Sequence, residues 1–121
     1  MARILIIDDD DSFREMLREF LEGNGYDITV APDGEGIIQL CHEIKPDLVI
    51  TDLFMPSGGI SNVTDILKEF SKLKIIAVSG GNVVSKDYLE LTKTTTRVFC
   101  VMHKPFAMNE MLKAVKECLS E

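Results

Sequence analysis

Five short apolar runs recur along the chain, and the apolar residues between them fall into a helical rhythm. The runs are Ile4-Leu5-Ile6-Ile7, Ile28-Thr29-Val30-Ala31, Leu48-Val49-Ile50-Thr51, Ile75-Ile76-Ala77-Val78 and Val98-Phe99-Cys100-Val101-Met102. Runs of this length, rich in β-branched residues and closed by Asp, Ser, Gly or Pro, predict strands buried on both faces. Pro56 and Pro105 lack the N–H needed to prolong the third and fifth of them. Between the runs, Phe13, Met16, Leu17, Phe20 and Leu21 recur at helical spacing, with Ser12 and Glu15 matching a capping box and Gly23-Asn24-Gly25 as the stop. Pro32-Asp33-Gly34 is a turn. Ile37, Ile38, Leu40, Cys41 and Ile44 then line a second helix that Lys45-Pro46-Asp47 closes. After Ser57-Gly58-Gly59, a third helix carries Val63, Ile66, Leu67 and Phe70. Val83, Val84, Tyr88, Leu89 and Leu91 mark a fourth, loosely bounded because Lys93-Thr94-Thr95-Thr96 are poor helix formers. Met108, Met111, Leu112, Val115 and Leu119 give the last. Strict alternation of strand and helix predicts an α/β fold: a five-stranded parallel sheet covered on both faces, with right-handed crossovers. A chain of 121 residues suits one domain, residues 1–121.

Composition narrows the function classes. The hydrophobic share of 45% with 27% charged residues is that of an ordinary globular protein. No apolar stretch approaches a membrane span, and the run between Arg3 and Asp8 is too short for a secretory signal, which predicts a cytoplasmic protein. A net charge of −7, with no Lys/Arg run, argues against direct contact with nucleic acid or an anionic membrane. Cys41, Cys100 and Cys118 are odd in number and well spread, as in a reducing compartment, and read as small core residues. A zinc site on Cys100 and His103, or on Cys41 and His42, would need ligands converging from distant segments.

The unusual polar residues all fall at strand ends of one polarity. Asp8 and Asp9 follow the first strand, Asp52 the third, Ser79 the fourth and Lys104 the fifth. Open parallel sheets bind their ligands at that edge. Singly, each has a plain reading: Asp8 to Asp11 as a solvated loop at a helix N-terminus, Asp52 as a capping residue, Ser79-Gly80-Gly81 as a turn, Lys104 as a surface lysine. Jointly they describe a site. Carboxylates gathered this closely repel one another, a repulsion that a hard divalent ion with oxygen ligands, such as Mg²⁺, relieves. Lys104 adds a mobile positive charge, Ser79 a hydroxyl, and Gly80 leaves room beside them. Such a site suits a phosphoryl group, with a carboxylate as the nucleophile that forms an acyl phosphate.

The segments Ile-Leu-Ile-Ile-Asp8-Asp9, Val-Ile-Thr-Asp52-Leu-Phe-Met-Pro56, Ala-Val-Ser79-Gly80 and Lys104-Pro105-Phe106 resemble the receiver domain of two-component response regulators, in that family's order and over essentially the whole chain. The resemblance implies a flavodoxin-like fold with sheet order 2-1-3-4-5. It implies that Asp52 accepts a phosphoryl group from a sensor histidine kinase or phosphotransfer protein, with no catalysis beyond self-phosphotransfer and self-dephosphorylation. On the matching positions, Asp9, Asp52 and the Phe54 backbone carbonyl would bind Mg²⁺, with Asp8 acting through water, while Ser79 and Lys104 would hold the phosphoryl oxygens. A downstream target or effector domain would read the face made by the fourth helix, fifth strand and fifth helix. Three departures stand out. Val101 replaces the Tyr or Phe usual three residues before the lysine, the aromatic whose inward swing reports phosphorylation in that family. Ser57-Gly58-Gly59-Ile60 replaces the usual Met-Asp-Gly, and the segment from Ser79 to Lys104 is longer than usual. Phe54, two residues after the phosphoacceptor, cannot orient an attacking water, which predicts slow self-dephosphorylation and faster decay in Phe54→Asn.

Two other readings use the same residues. Asp8-Asp9-Asp10-Asp11-Ser12 resembles the D-x-D-x-[T/S] start of haloacid-dehalogenase-like phosphatases, with Asp8 and Asp10 as the catalytic pair. Against it, no acidic pair follows Lys104 at a strand end, and no length is left for a cap. A flavin-binding flavodoxin-like domain would need a Ser/Thr/Gly phosphate loop after the first strand, where this chain is acidic.

Overall fold

The computed structural model describes residues 1–53, 59–80 and 100–120, with the backbone alone at 59–62, 64 and 80. Its elements run β1 (Arg3–Ile7), α1 (Asp11–Gly23), β2 (Asp27–Ala31), α2 (Ile37–Ile44), β3 (Leu48–Asp52), α3 (Gly59–Glu69), β4 (Lys74–Gly80), β5 (Cys100–Lys104) and α4 (Met108–Leu119). The helix expected around Val83 to Leu91 lies outside the described residues, as does the start of the fifth strand at Val98 and Phe99.

All five strands join one parallel sheet in the order β2-β1-β3-β4-β5. Alternation along each strand sends side chains to opposite faces and builds two cores. Ile4, Ile6, Leu48, Ile50, Ile76 and Val78 face Leu17 and Leu21 of α1 and Met111, Val115 and Cys118 of α4. Leu5, Ile7, Val49, Ile75 and Ala77 face Ile37 and Cys41 of α2 and Val63, Ile66 and Leu67 of α3. The fold is flavodoxin-like, and burial explains which runs were most strongly apolar. β3 is buried at every residue, whereas β2 and β5, at the sheet's edges, are only partly so.

Local details depart from the sequence reading. The N-cap of α1 is Asp10, whose Oδ1 accepts the N–H of Phe13 at 3.1 Å, so the helix starts before the Ser12 capping box. Met16 is 51% exposed, because the buried stripe centres on Leu17 and Leu21 and leaves Met16 on its flank. Gly59 opens α3 instead of closing the loop before it. β4 runs on through Ser79 to Gly80 and β5 through His103 to Lys104, so both site residues belong to the sheet itself. Parallel pairing of Ser79 with His103 and of Gly80 with Lys104 accounts for the longer strands.

Candidate functional site

β1 and β3 are adjacent, although α1, β2 and α2 lie between them in sequence, so the winding of the sheet reverses at this pair. A crevice opens beyond the carboxyl ends of such strands. Ile7 lies across from Thr51, which brings Asp8 and Asp52 out at neighbouring positions. Asp52 alternates on the same side of β3 as Leu48 and Ile50, and Lys104 on the same side of β5 as Cys100 and Met102, toward α1 and α4. Ser79 alternates with Ile75 and Ala77, toward α2 and α3. The site therefore straddles the sheet edge.

Asp8 is the most firmly held member. Its N–H donates to Ala31 O at 3.2 Å, its Oδ1 accepts the N–H of Asp10 at 2.9 Å, and its carbonyl accepts from Arg14 Nη1 at 2.7 Å. Its Oδ2 accepts from Lys104 Nζ at 3.0 Å, and the same ammonium lies 3.5 Å from Asp52 Oδ2. Asp8 is 2% and Asp52 5% exposed. Burial pulls the Lys104 pKa down, but the hydrogen bond and charge of Asp8, reinforced by Asp52, outweigh it and hold the ammonium above its ordinary 10.5. The lysine is thus firmly cationic, wedged between two carboxylates.

Asp8, Asp9 and Asp52 each offer a carboxylate oxygen, and these lie within 4.8 Å of one another. Asp9 is solvent-exposed and the other two are buried, so the cluster opens to solvent on one side. A compact set of hard oxygen donors fits Mg²⁺, which keeps part of its water shell. Ser79 Oγ is fully buried and meets no hydrogen-bond partner among the described residues, a spare donor at the same edge. The structure thus brings Asp8, Asp9, Asp52 and Lys104 together and sets Ser79 at the end of the neighbouring strand; Phe54 lies outside the described residues. Asp10 is committed to capping α1, which withdraws it from the Asp8 and Asp10 pair that a haloacid-dehalogenase-like phosphatase would use.

Two residues of α1 escaped the sequence reading. Arg14 is anchored to Asp11 Oδ1 at 2.6 Å as well as to the Asp8 carbonyl, so it ties the acidic loop to the helix. Phe13 lies under the lysine, with Lys104 Nζ 4.0 Å from its ring centroid. A single cation just after four aspartates was the available signal for Arg14; Phe13 was visible only as part of an apolar stripe.

The response regulator receiver domain model matches residues 4–116. Response regulator MprA of Mycolicibacterium vanbaalenii is 31% identical over 119 residues, covering 98% of this chain and 50% of its own length. The DNA-binding response regulator MtrA of Mycolicibacterium smegmatis is 38% identical over 77 residues, covering 64% of this chain and 34% of its own. The chain spans about half the length of the former and less of the latter. Among solved structures, response regulator TrrA of Thermotoga maritima in complex with Mg(2+)-BeF superposes with a TM-score of 0.83 at 31% identity, over 98% of this chain and 99% of its own. Chemotaxis protein CheY4 of Vibrio cholerae, at 23% identity, shares the fold with a TM-score of 0.87 over 98% of both chains. A five-stranded 2-1-3-4-5 sheet, an acidic cluster with a lysine at its carboxyl edge and a family match over most of the chain agree: this protein belongs to the receiver domains of two-component response regulators.

Proposed function

We propose that residues 1–121 form one receiver domain whose Asp52 accepts a phosphoryl group from a sensor histidine kinase or phosphotransfer protein. The observation that carries this reading is the Lys104 ammonium between Asp8 and Asp52, beside the three clustered carboxylates. An Asp52 oxygen forms the new O–P bond as the bond from phosphorus to the donor's imidazole nitrogen breaks, and the electron pair leaves on that imidazole. Asp52 becomes an acyl phosphate. Lys104 offsets the charge of the phosphoryl oxygens, and the Ser79 hydroxyl donates to one of them. Asp9, Asp52 and, as the family resemblance implies, the Phe54 carbonyl would hold Mg²⁺, with Asp8, whose oxygens are already engaged by the Asp10 N–H and Lys104, acting through water. When bound, the ion supplies a hard positive charge that weakens repulsion between Asp52 and the incoming phosphoryl group. The Mg(2+)-BeF complex of the Thermotoga relative supports Mg²⁺ as the ion.

The acyl phosphate then biases a two-state surface through Ser79, and a downstream target or effector domain reads it on the face around β5 and α4. Val101 packs partly buried against the α2 and α3 core, so the switch works without an aromatic at that position. Phe54 makes the acyl phosphate long-lived. The domain works in the cytoplasm and touches neither nucleic acid nor membrane itself, in keeping with its net charge of −7.

Incubation with acetyl phosphate and Mg²⁺ should label the wild-type protein, and Asp52→Asn should abolish labelling. Retained labelling in Asp52→Asn would move the phosphoacceptor elsewhere.

A further inference from the structure

The ring of Phe13 takes part in the charge balance of the site without being one of its polar groups. Lys104 Nζ meets three things at once: Asp8 Oδ2 at 3.0 Å, Asp52 Oδ2 at 3.5 Å, and the Phe13 face at 4.0 Å from its centroid. Phe13 is held at its backbone and at its ring. Its backbone N–H donates to the Asp10 cap, which pins the first turn of α1. Phe106, two residues beyond Lys104, packs edge-on against it, with centroids 5.8 Å apart and planes at 89°. The loop after β5 and the start of α1 are thereby joined at the lysine.

An aromatic face attracts an ammonium through its quadrupole and asks for no directed hydrogen bond. That distinguishes it from the two carboxylates. A lysine has three N–H donors on a flexible stem, and a ring beneath it restricts the stem while leaving the donors to the oxygens. The distinction matters when Asp52 reacts. As its oxygen forms the O–P bond, it gives up the negative charge that helps hold the ammonium, and the charge reappears on the phosphoryl oxygens. Asp8 and the Phe13 ring are the two contacts that this transfer leaves unchanged.

The geometry points to Phe13 as a positioning residue for phosphoryl transfer: its ring keeps the Lys104 ammonium over Asp52 while negative charge passes from the carboxylate to the phosphoryl group. The inference rests on Asp52 being the phosphoacceptor, and the experiment separates the two. Labelling rates with acetyl phosphate and Mg²⁺ are measured against donor concentration for wild type, Phe13→Leu, Phe13→Tyr, and a series in which phenylalanine at position 13 carries one, two or three ring fluorines. Fluorination keeps the ring's shape and drains its negative face. Phe13→Leu should lower the saturating rate about tenfold, or ~1.4 kcal/mol of barrier, with half-saturation changed less than about twofold. Phe13→Tyr should restore the rate, and its logarithm should fall stepwise with fluorine number while the urea midpoint holds. In the absence of Mg²⁺ and donor, the Lys104 Cε proton resonances should sit upfield in wild type and Phe13→Tyr and move downfield in Phe13→Leu. Wild-type labelling with a Phe13→Leu rate equal to it, or a flat fluorine series, overturns the role of Phe13. No labelling of the wild type would instead overturn the phosphoacceptor reading.

Discussion

Cys41 has no exposed surface, and its place between α2 and the sheet sets how the protein responds to alkali. Burial pushes its thiol from 9.0 up to about 11, because a thiolate there would lose its water without gaining a partner. Between those values the unfolded chain has released a proton that the folded chain keeps, so stability must fall as pH rises. The full loss is about 3 kcal/mol at ~1.4 kcal/mol per pH unit. Lys104 acts in the same direction but later. Its pKa is raised above 10.5 by Asp8 and Asp52 against the opposing pull of burial, so its contribution is complete below 10.5 and is lost only as pH climbs through the higher, folded value. Between pH 9 and 10.5 the Cys41 thiol therefore acts ahead of Lys104. Urea midpoints should decline across that interval in wild type and less steeply in Cys41→Ala; parallel declines would clear Cys41 of responsibility.

At the scale of elements, α1 shows both the reach and the limit of pattern reading. Its stripe of Phe13, Leu17, Phe20 and Leu21 packs on the sheet as the period demands, but Met16 sits on the flank and is half exposed. Leu17→Ala should thus cost about 2–5 kcal/mol of stability, Met16→Ala no more than about 0.5, and Asp10→Ala about 1 through the lost cap, all readable from urea midpoints. A Met16→Ala loss comparable to that of Leu17→Ala would place Met16 in the core after all. The strands were legible because burial on both faces leaves a continuous apolar run, and the acidic cluster because its members end successive strands on one edge. Ser79 and Lys104 were placed at the right edge but one step too far out, since pairing between β4 and β5 carries both strands past their apolar residues. Phe13 and Arg14 were not legible as site residues. A helical period records which side of a helix is buried, and it carries no record of what the first turn touches beyond the sheet edge.

Charge balance is settled at the scale of the whole molecule. An acidic chain concentrates Asp8, Asp9 and Asp52 at one sheet edge, and among the described residues Lys104 is the cation paired with this cluster. Arg14, the nearest other cation in sequence, directs one arm to the Asp8 carbonyl and the other to Asp11. Three carboxylates against one ammonium leave the cluster two charges negative, which a divalent cation cancels and which the folded state bears as repulsion without one. Folding and ion binding are then linked. An ion that binds the folded chain at 100 times its Kd adds about 2.7 kcal/mol of stability, whereas sodium at equal ionic strength screens mainly the exposed, more distant charges. Asp9 is the member to change, because it is exposed and makes no ion pair among the described residues. Asp9→Asn should be more stable than wild type without Mg²⁺, since one repulsive partner is gone, and nearly indifferent to added Mg²⁺. Wild type should start lower and rise with Mg²⁺ until it overtakes the variant. Urea midpoints of both proteins across a Mg²⁺ titration, with NaCl matched for ionic strength, provide the measurement. Equal rises in the two would assign the effect to diffuse screening and leave the cluster without a bound ion.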